Sequence, residues 1–396
     1  MTRESANDGV ASVPGTTRLT PSRLIVRLVT MFVALVLIDV GVADYLRPGQ
    51  SYDSDWRLPR TQSMSALPGF VNHIEGQSRD PRRPRVLFLG ASPTWGEMNS
   101  NRHHTYPAAF SSAARAAGTD ARVFNLGADG ALVADEYFIA DRLAPSSDLL
   151  GIQLTYHTFN PKARGDGPTR FSELPRILGD PVGAQVGKAL GIDRTPPFNL
   201  SGDVNRILDR QWLLFREHDE LATKLFGRPL RDELYARWRS LVGDVPKSLP
   251  LAPALAKNVP FDQLDPARQT EIVERYAEFA NYRLRKSDSE LRMLDLLCAM
   301  LERRHVNAVL FMSPLNTGAL ESFGVFDRHL YSTNVAIIRD VVERHGLTFI
   351  DWNQPGKALP QALFADATHT TDRGSAVFAR RLYRALAPKL STGARP

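Results

Sequence analysis

The sequence predicts an α/β protein built on a doubly wound, parallel, five-stranded sheet. Short apolar runs rich in β-branched and aromatic residues alternate with stretches of helical periodicity over 85–155 and again over 289–386. Two of the helical stretches stop at a glycine, Gly118 and Gly346. At 396 residues, 43% of them hydrophobic and 23% charged, the chain is long and apolar enough for a sizeable core.

From the N-terminus, residues 1–22 are polar, rich in Ser, Thr and Gly, and read as a disordered cytoplasmic tail. Residues 23–46 read as a transmembrane anchor centred on the apolar stretch Leu28–Ile38. Arg18, Arg23 and Arg27 precede this stretch and Asp44, Asp53 and Asp55 follow it, which puts the N-terminus in the cytoplasm and the bulk of the chain outside. The clean centre is shorter than the ~20 residues a span needs, and Asp39 sits near its outer end. A signal peptide cleaved after Gly41-Val-Ala43 is the alternative reading. Residues 47–83 carry Pro48, Gly49, Pro59, Pro68 and Pro81 with no sustained period and read as a tether.

The expected strands are Val86–Leu89, Arg122–Leu126, Asp148–Leu154, Val306–Met312 and Leu347–Asp351. Between and after them fall the expected helices Pro107–Ala117, Ala131–Leu143, Ser289–Arg304, Val335–His345 and Asp372–Leu386. Residues 160–285 break the alternation. They read as a helical insertion or cap with segments at Val204–Phe215, Glu217–Phe226, Leu230–Leu241 and Asp265–Arg285, placed where it shapes access to the strand ends. The domain therefore divides into 84–159 and 286–390 around this insertion.

A net charge of +6 is spread over a surface of mixed sign, with no basic run and no aromatic-basic interleaving, which argues against a nucleic-acid partner. Cys298 is the sole cysteine, so no intrachain disulfide forms. It shares an apolar helical face with Leu291, Leu294, Leu297 and Leu301 and reads as a core thiol. No Walker or dinucleotide loop is present, and no second His or Cys stands at metal-ligand spacing from His157, so no cofactor or metal is implied.

The chemistry gathers at strand ends. The first strand stops at Gly90 and presents Ser92, Gly127 and Gly130 follow the second, and Asp366 and His369 lie just after the fifth. In an open α/β sheet these positions emerge on one edge, where ligands bind. A Ser hydroxyl becomes a nucleophile when a base within ~3 Å takes its proton, imidazole suits that role, and a carboxylate on the other ring nitrogen orients it. Asp366 and His369 are close enough in sequence for one loop to supply both groups. The more ordinary reading is a strand-to-helix turn in which glycine bends the chain and Ser92 caps a helix. His103 and His104 default to loop or helix-start positions, and Asp351 and Asn353 to turn formation.

Gly90-Ala-Ser92, Asn125-Leu-Gly-Ala-Asp-Gly130 and Asp366-Ala-Thr-His369 followed by Gly374 together resemble blocks one, two and five of the SGNH (GDSL-like) hydrolase superfamily. The resemblance covers 85–155 and 306–388, and it implies a flavodoxin-like sandwich with Ser92 as nucleophile, His369 as base, Asp366 as its partner and Gly130 as an oxyanion donor. Two positions depart from the family pattern. Ala91 replaces an Asp, and the third block reads Leu154-Thr-Tyr-His-Thr-Phe-Asn160, which leaves Asn160 or His157 to replace a side-chain oxyanion donor. With the expected anchor and insertion, these departures are similar to the membrane-tethered subgroup that includes the D-alanine-transfer proteins of teichoic acid modification and the alginate O-acetylation proteins. Met312-Ser-Pro-Leu-Asn316 resembles a Pro-x-Asn feature of that subgroup. The likeness implies an extracytoplasmic O-acyltransferase that acts through an acyl-enzyme on a hydroxyl of an envelope polysaccharide or glycolipid, beside a membrane-bound O-acyltransferase partner. An extracytoplasmic esterase and a non-catalytic subunit of an acylation complex are the alternatives.

Overall fold

The computed structural model describes residues 21–46, 67–80, 82–161 and 258–391, with a few isolated positions between 169 and 212. In chain order the elements are α1 (Pro21–Leu46), α2 (Leu67–Gly76), β1 (Arg85–Gly90), α3 (Ser92–Trp95), α4 (Tyr106–Ala116), β2 (Arg122–Gly127), α5 (Val133–Leu143) and β3 (Leu149–Leu154). They continue with α6 (Pro266–Ala280), α7 (Ser289–Arg303), β4 (Ala308–Met312), α8 (Thr317–Ser322), α9 (Arg328–Arg344), β5 (Thr348–Ile350) and α10 (Asp372–Ser391).

The five strands lie in the order β2-β1-β3-β4-β5 and every neighbouring pair is parallel. The chain starts at β1, steps out to β2, then returns past β1 to β3 and continues to β5. That reversal between β1 and β3 is the topological switch point of a doubly wound sheet, where a crevice opens beyond the strand ends.

Alternation along the strands sorts the core into two layers. Leu87, Leu89, Leu150, Ile152, Leu310 and Met312 pack against α2, α5, α7 and α9. Val86, Phe88, Leu149, Val309 and Phe311 face α4 and α10. Cys298 is buried in the first layer, and burial pushes its thiol well above the ordinary range, as fits a core position rather than a nucleophile.

Three expectations change. The presumed tether contains α2, whose Leu67, Phe70, Val71 and Ile74 are buried in the core. Their spacing is that of one helix face, and Pro68 falls in the first turn, where its missing N–H is tolerated. Helix α9 begins at Arg328, well before the expected Val335, because the Asp327 side chain accepts the Leu330 N–H at 2.9 Å and caps it. The third change concerns the membrane segment. It is helical as α1, but among the described residues no helix is long and apolar enough to cross a membrane. Between Arg27 and Asp39 the apolar stretch Leu28–Ile38 rises only about 16 Å as a helix, roughly half of a hydrocarbon core. Of the insertion, Asp265–Arg285 contains α6, while the segments expected at 204–215, 217–226 and 230–241 fall outside the described residues, apart from the isolated Trp212, as does the tail at 1–20.

Candidate active site

Strand β1 ends at Gly90, Ala91 turns in an extended conformation, and Ser92 opens the short helix α3, with its side chain at the carboxyl end of the strand. Neighbouring strands hold α3 in place. Asn125 on β2 donates from Nδ2 to the Thr94 carbonyl at 2.9 Å, and Thr94 Oγ1 bonds Gln153 of β3 and, at 2.9 Å, the Tyr106 hydroxyl. Gly127 permits this approach, since a Cβ there would collide with the backbone of Thr94 and Trp95.

The second half of the site is a closed loop. An antiparallel bridge joins Phe364 and Thr370, with Ala365 N donating to the His369 carbonyl at 2.8 Å. Inside the loop, Asp366 Oδ1 accepts the Thr368 and His369 amides, each at 2.7 Å. Asn316, at the start of α8, clamps the loop from outside, its N–H donating to the Ala367 carbonyl at 2.9 Å and its Nδ2 to the Asp366 carbonyl at 3.4 Å. Gly374 lets α10 press against the same loop, because a Cβ there would run into the Leu363 carbonyl.

The two halves meet at three side chains. Asp366 Oδ2 lies 2.7 Å from His369 Nδ1, and His369 Nε2 lies 2.8 Å from Ser92 Oγ. A carboxylate on Nδ1 fixes the proton there, which leaves Nε2 to accept from the Ser92 hydroxyl. Burial works to raise the Asp366 carboxyl, but the His369 charge and hydrogen bond, with the two backbone N–H groups, outweigh it and hold the group below its ordinary value. Asp366 therefore stays ionised at neutral pH and orients the imidazole.

A cleft of about 380 Å³ opens beside this chain of groups, lined by Glu97, Met98, His157, Ile272, Tyr276 and Phe279 next to Asp366 and His369. Ile272, Tyr276 and Phe279 come from one face of α6, which forms a wall of the cleft.

The remaining expected residues fall into two groups. The Gly127 N–H donates to Asn125 Oδ1 at 2.9 Å and Asn316 is taken up by the loop and by its cap on α8, so both build structure rather than face the cleft. Asn160 is buried and donates to the Phe279 carbonyl at 3.4 Å, tying α6 to the segment after β3. Gly130 sits in an exposed turn at φ 74°, and the turn is anchored beside β1 by Ala128 N donating to the Gly90 carbonyl at 2.9 Å. His157 lines the cleft itself. Asp351 accepts the Tyr331 hydroxyl at 2.9 Å, while Asn353 bonds Ser313 and Leu315, which are structural uses, and His104 pairs with Asp372 at 2.8 Å.

Sequence reasoning missed Glu97 and Tyr276. Glu97 Oε2 lies 3.6 Å from His369 Nε2, and its place shortly after Ser92 in the same motif was an available signal. Tyr276 gave none, since a tyrosine on an amphipathic helix reads as core. Among the described residues no group of three or more His, Cys, Asp and Glu side chains could hold a metal ion.

No family model and no curated protein sequence matches the chain. Among solved structures, the chain is similar to LAE5, an alpha/beta hydrolase enzyme from the metagenome of Lake Arreo, Spain, at 14% identity over 78% of this chain and 95% of that one, with a TM-score of 0.35. It is also similar to a carbohydrate acetylesterase family member from Sinorhizobium meliloti, at 14% identity over 78% of this chain and 99% of that one, with a TM-score of 0.30. At these scores the likeness is loose, and the fold assignment rests on the parallel strand order and its two helical layers.

Proposed function

We propose that the protein is a serine acyl-transfer enzyme that moves an acyl group onto a hydroxyl of an envelope polysaccharide or glycolipid. The observation that carries this reading is the continuous chain Asp366 Oδ2, His369 Nδ1, His369 Nε2 and Ser92 Oγ, with links of 2.7 and 2.8 Å. In the first step Ser92 Oγ attacks the acyl carbonyl as His369 takes its proton. The leaving alcohol or thiol departs with that proton, and an ester forms on Ser92. In the second step an acceptor hydroxyl gives its proton to His369 and attacks the same carbonyl. The new ester forms as the bond to Ser92 Oγ breaks, and the proton returns to Ser92.

Negative charge on the carbonyl oxygen needs donors at both steps. The Ser92 N–H, at a helix start where no intrahelical acceptor exists, is the first. The Gly130 N–H is the second in this reading; it meets no acceptor among the described residues and lies in the turn anchored to β1.

Placement outside the membrane, beside a membrane-bound O-acyltransferase, belongs to the same proposal. Contact of α1 with such a membrane or partner is supported by its exposed apolar side chains, including Ile25, Val29, Phe32, Leu37 and Val40. An all-round apolar helix needs a cover, and contact with a membrane or a multipass partner supplies one without requiring α1 to span.

The test is a burst experiment with p-nitrophenyl acetate. One equivalent of nitrophenolate is released quickly, none is released by Ser92→Ala, and an added polyol speeds turnover and emerges acetylated. Activity that survives Ser92→Ala overturns the proposal. Product made only by hydrolysis, whatever the acceptor, replaces the transferase reading with an esterase.

A further inference from the structure

Glu97 is fixed to the turn that carries the nucleophile. Helix α3 ends at Gly96, which takes the left-handed φ of 83°, and the Gly96 and Glu97 amides both donate to the Ser92 carbonyl, at 2.9 and 3.2 Å. The next residue is strapped to the other half of the site. The Met98 carbonyl accepts the Asn258 N–H at 3.0 Å, and Asn258 Oδ1 accepts the N–H of Asp372, the first residue of α10, at 2.8 Å. Held this way, the Glu97 side chain lines the cleft and brings Oε2 to 3.6 Å from His369 Nε2. Arg275 lines the same cleft from the α6 wall, where Glu271 Oε1 holds its Nη2 at 2.9 Å. Beside the reacting nitrogen stands the Glu97 carboxylate.

In the proposed reaction both alcohols use this corner. The departing alcohol takes its proton from His369 Nε2, and the acceptor gives its proton to the same atom. The acceptor oxygen must come within hydrogen-bond distance of Nε2, about 2.7–3.0 Å, and so shares the corner with Glu97 Oε2. A simple alcohol has one hydroxyl proton, which is committed to Nε2. Its lone pairs then face a carboxylate that can only accept. An alcohol with a second hydroxyl on the adjacent carbon resolves this, because one hydroxyl donates to Nε2 and attacks while the other donates to Glu97. That second bond is charge-assisted, roughly twice as strong as a neutral one. Water has two protons and serves both atoms, so hydrolysis competes with transfer.

We infer that Glu97 selects the acceptor: it binds the hydroxyl adjacent to the one that attacks, so vicinal diols are acylated in preference to isolated hydroxyls. The inference rests on the acyl-transfer reading and names the acceptor class of that same site. The attacking oxygen forms the new ester bond, the bond to Ser92 Oγ breaks, and the proton passes through Nε2 to Ser92. Glu97 neither gains nor loses a proton.

The experiment uses the full chain with p-nitrophenyl acetate as donor and, at equal concentration, ethylene glycol or 2-methoxyethanol as acceptor. These differ in whether the second oxygen carries a proton. Acetylated alcohol and free acetate are separated by chromatography, so each run carries hydrolysis as its own reference. After allowance for its two equivalent hydroxyls, ethylene glycol is acetylated roughly fivefold faster, the size of one net hydrogen bond. In Glu97→Leu the two acceptors are used alike, and because the ratio is read within each protein, a general loss of rate cancels. The inference is overturned by equal use of the two acceptors in the wild type, by a preference that survives Glu97→Leu, or by acetate as the sole product with ethylene glycol. The wild-type comparison needs no variant, so it decides even where Glu97→Leu does not fold. The nitrophenolate burst is read in the same runs. A burst with transfer but no diol preference removes this inference alone, whereas no burst removes the acyl-transfer reading on which it rests.

Discussion

Glu97 Oε2 lies 3.6 Å from His369 Nε2, the same ring nitrogen that meets Ser92 Oγ at 2.8 Å. The imidazole therefore has a carboxylate near each nitrogen, Asp366 fixed on one side and Glu97 more loosely on the other. A negative charge at that distance favours the protonated ring, and a protonated ring cannot act as base. Replacing Glu97 by Gln is expected to move the acid limb of the kcat/KM profile to lower pH, as read from p-nitrophenyl acetate turnover across pH 5–9. An unmoved limb would show that solvent screens the pair.

Asp366→Asn separates orientation from charge. The substitution keeps an acceptor for the two backbone amides but removes the charge that holds the His369 tautomer, and turnover should fall on the order of 10⁴-fold, as when serine proteases lose the corresponding carboxylate. Stability carries a pH signature as well. The carboxyl is held below its ordinary value, so its contribution is present above the unfolded-state value of about 3.9 and is lost as pH falls through the lower folded-state value. Denaturant melts should show the variant less stable at pH 7, with the gap closing under strongly acidic conditions.

Glu136 predicts the opposite slope. It is buried, its carboxyl is held well above the ordinary range first by burial and then by Glu290 and Asp135, and its Oε2 has no partner among the described residues. The folded state keeps a proton that the unfolded chain releases near pH 4.5, so stability falls as pH rises, by up to about 1.4 kcal/mol per pH unit, until the folded-state group itself ionises. Glu136→Gln mimics the protonated form and should flatten that slope, leaving the variant more stable than the wild type at pH 8 in urea titrations.

His345 joins α7 to α9, its Nδ1 at 2.7 Å from Glu302 and its Nε2 at 2.9 Å from Asp295. Burial works to lower the imidazole, but the hydrogen bonds to Asp295 and Glu302 outweigh it and raise the value. The stabilisation is fully present below about pH 6.5, the unfolded-state value, and is lost as pH rises through the higher folded-state one. Both carboxylates are about half exposed, so the effect is small, about 1 kcal/mol or less. His345→Gln should lower the melting temperature at pH 5.5 and leave it nearly unchanged at pH 9.

Much of this architecture is readable in the residues. The run Val86–Leu89 ending at Gly90-Ala-Ser92, and the close pairing of Asp366 with His369, carry their geometry locally: a buried strand with a tight turn, and a loop closed by its own bridge. What escaped reading depends on contacts across the fold. Asn316 carries the same amide whether it faces a cleft or clamps a loop, and only the position of the Ala367 carbonyl decides which. Helix α2 was hidden by Pro68 and Gly69, which punctuate loops in most contexts but stand in a first helical turn here. Tyr276 gave no sign of itself because a tyrosine on an amphipathic helix reads as core, and only the packing of α6 beside the Asp366–His369 loop puts it in the cleft wall.

The hydroxyl of Ser92 and the imidazole that would activate it are separated by 277 positions, and the loop carrying the imidazole is clamped by Asn316, which follows β4. During synthesis the residue proposed as nucleophile emerges well before the one proposed as its base. Until β4 and β5 have docked and the closing loop is clamped, Ser92 is an ordinary alcohol. In the proposed mechanism no acyl-enzyme can form until the loop that carries His369 is closed and clamped, so a half-folded copy would have no means of acylating the wrong hydroxyl.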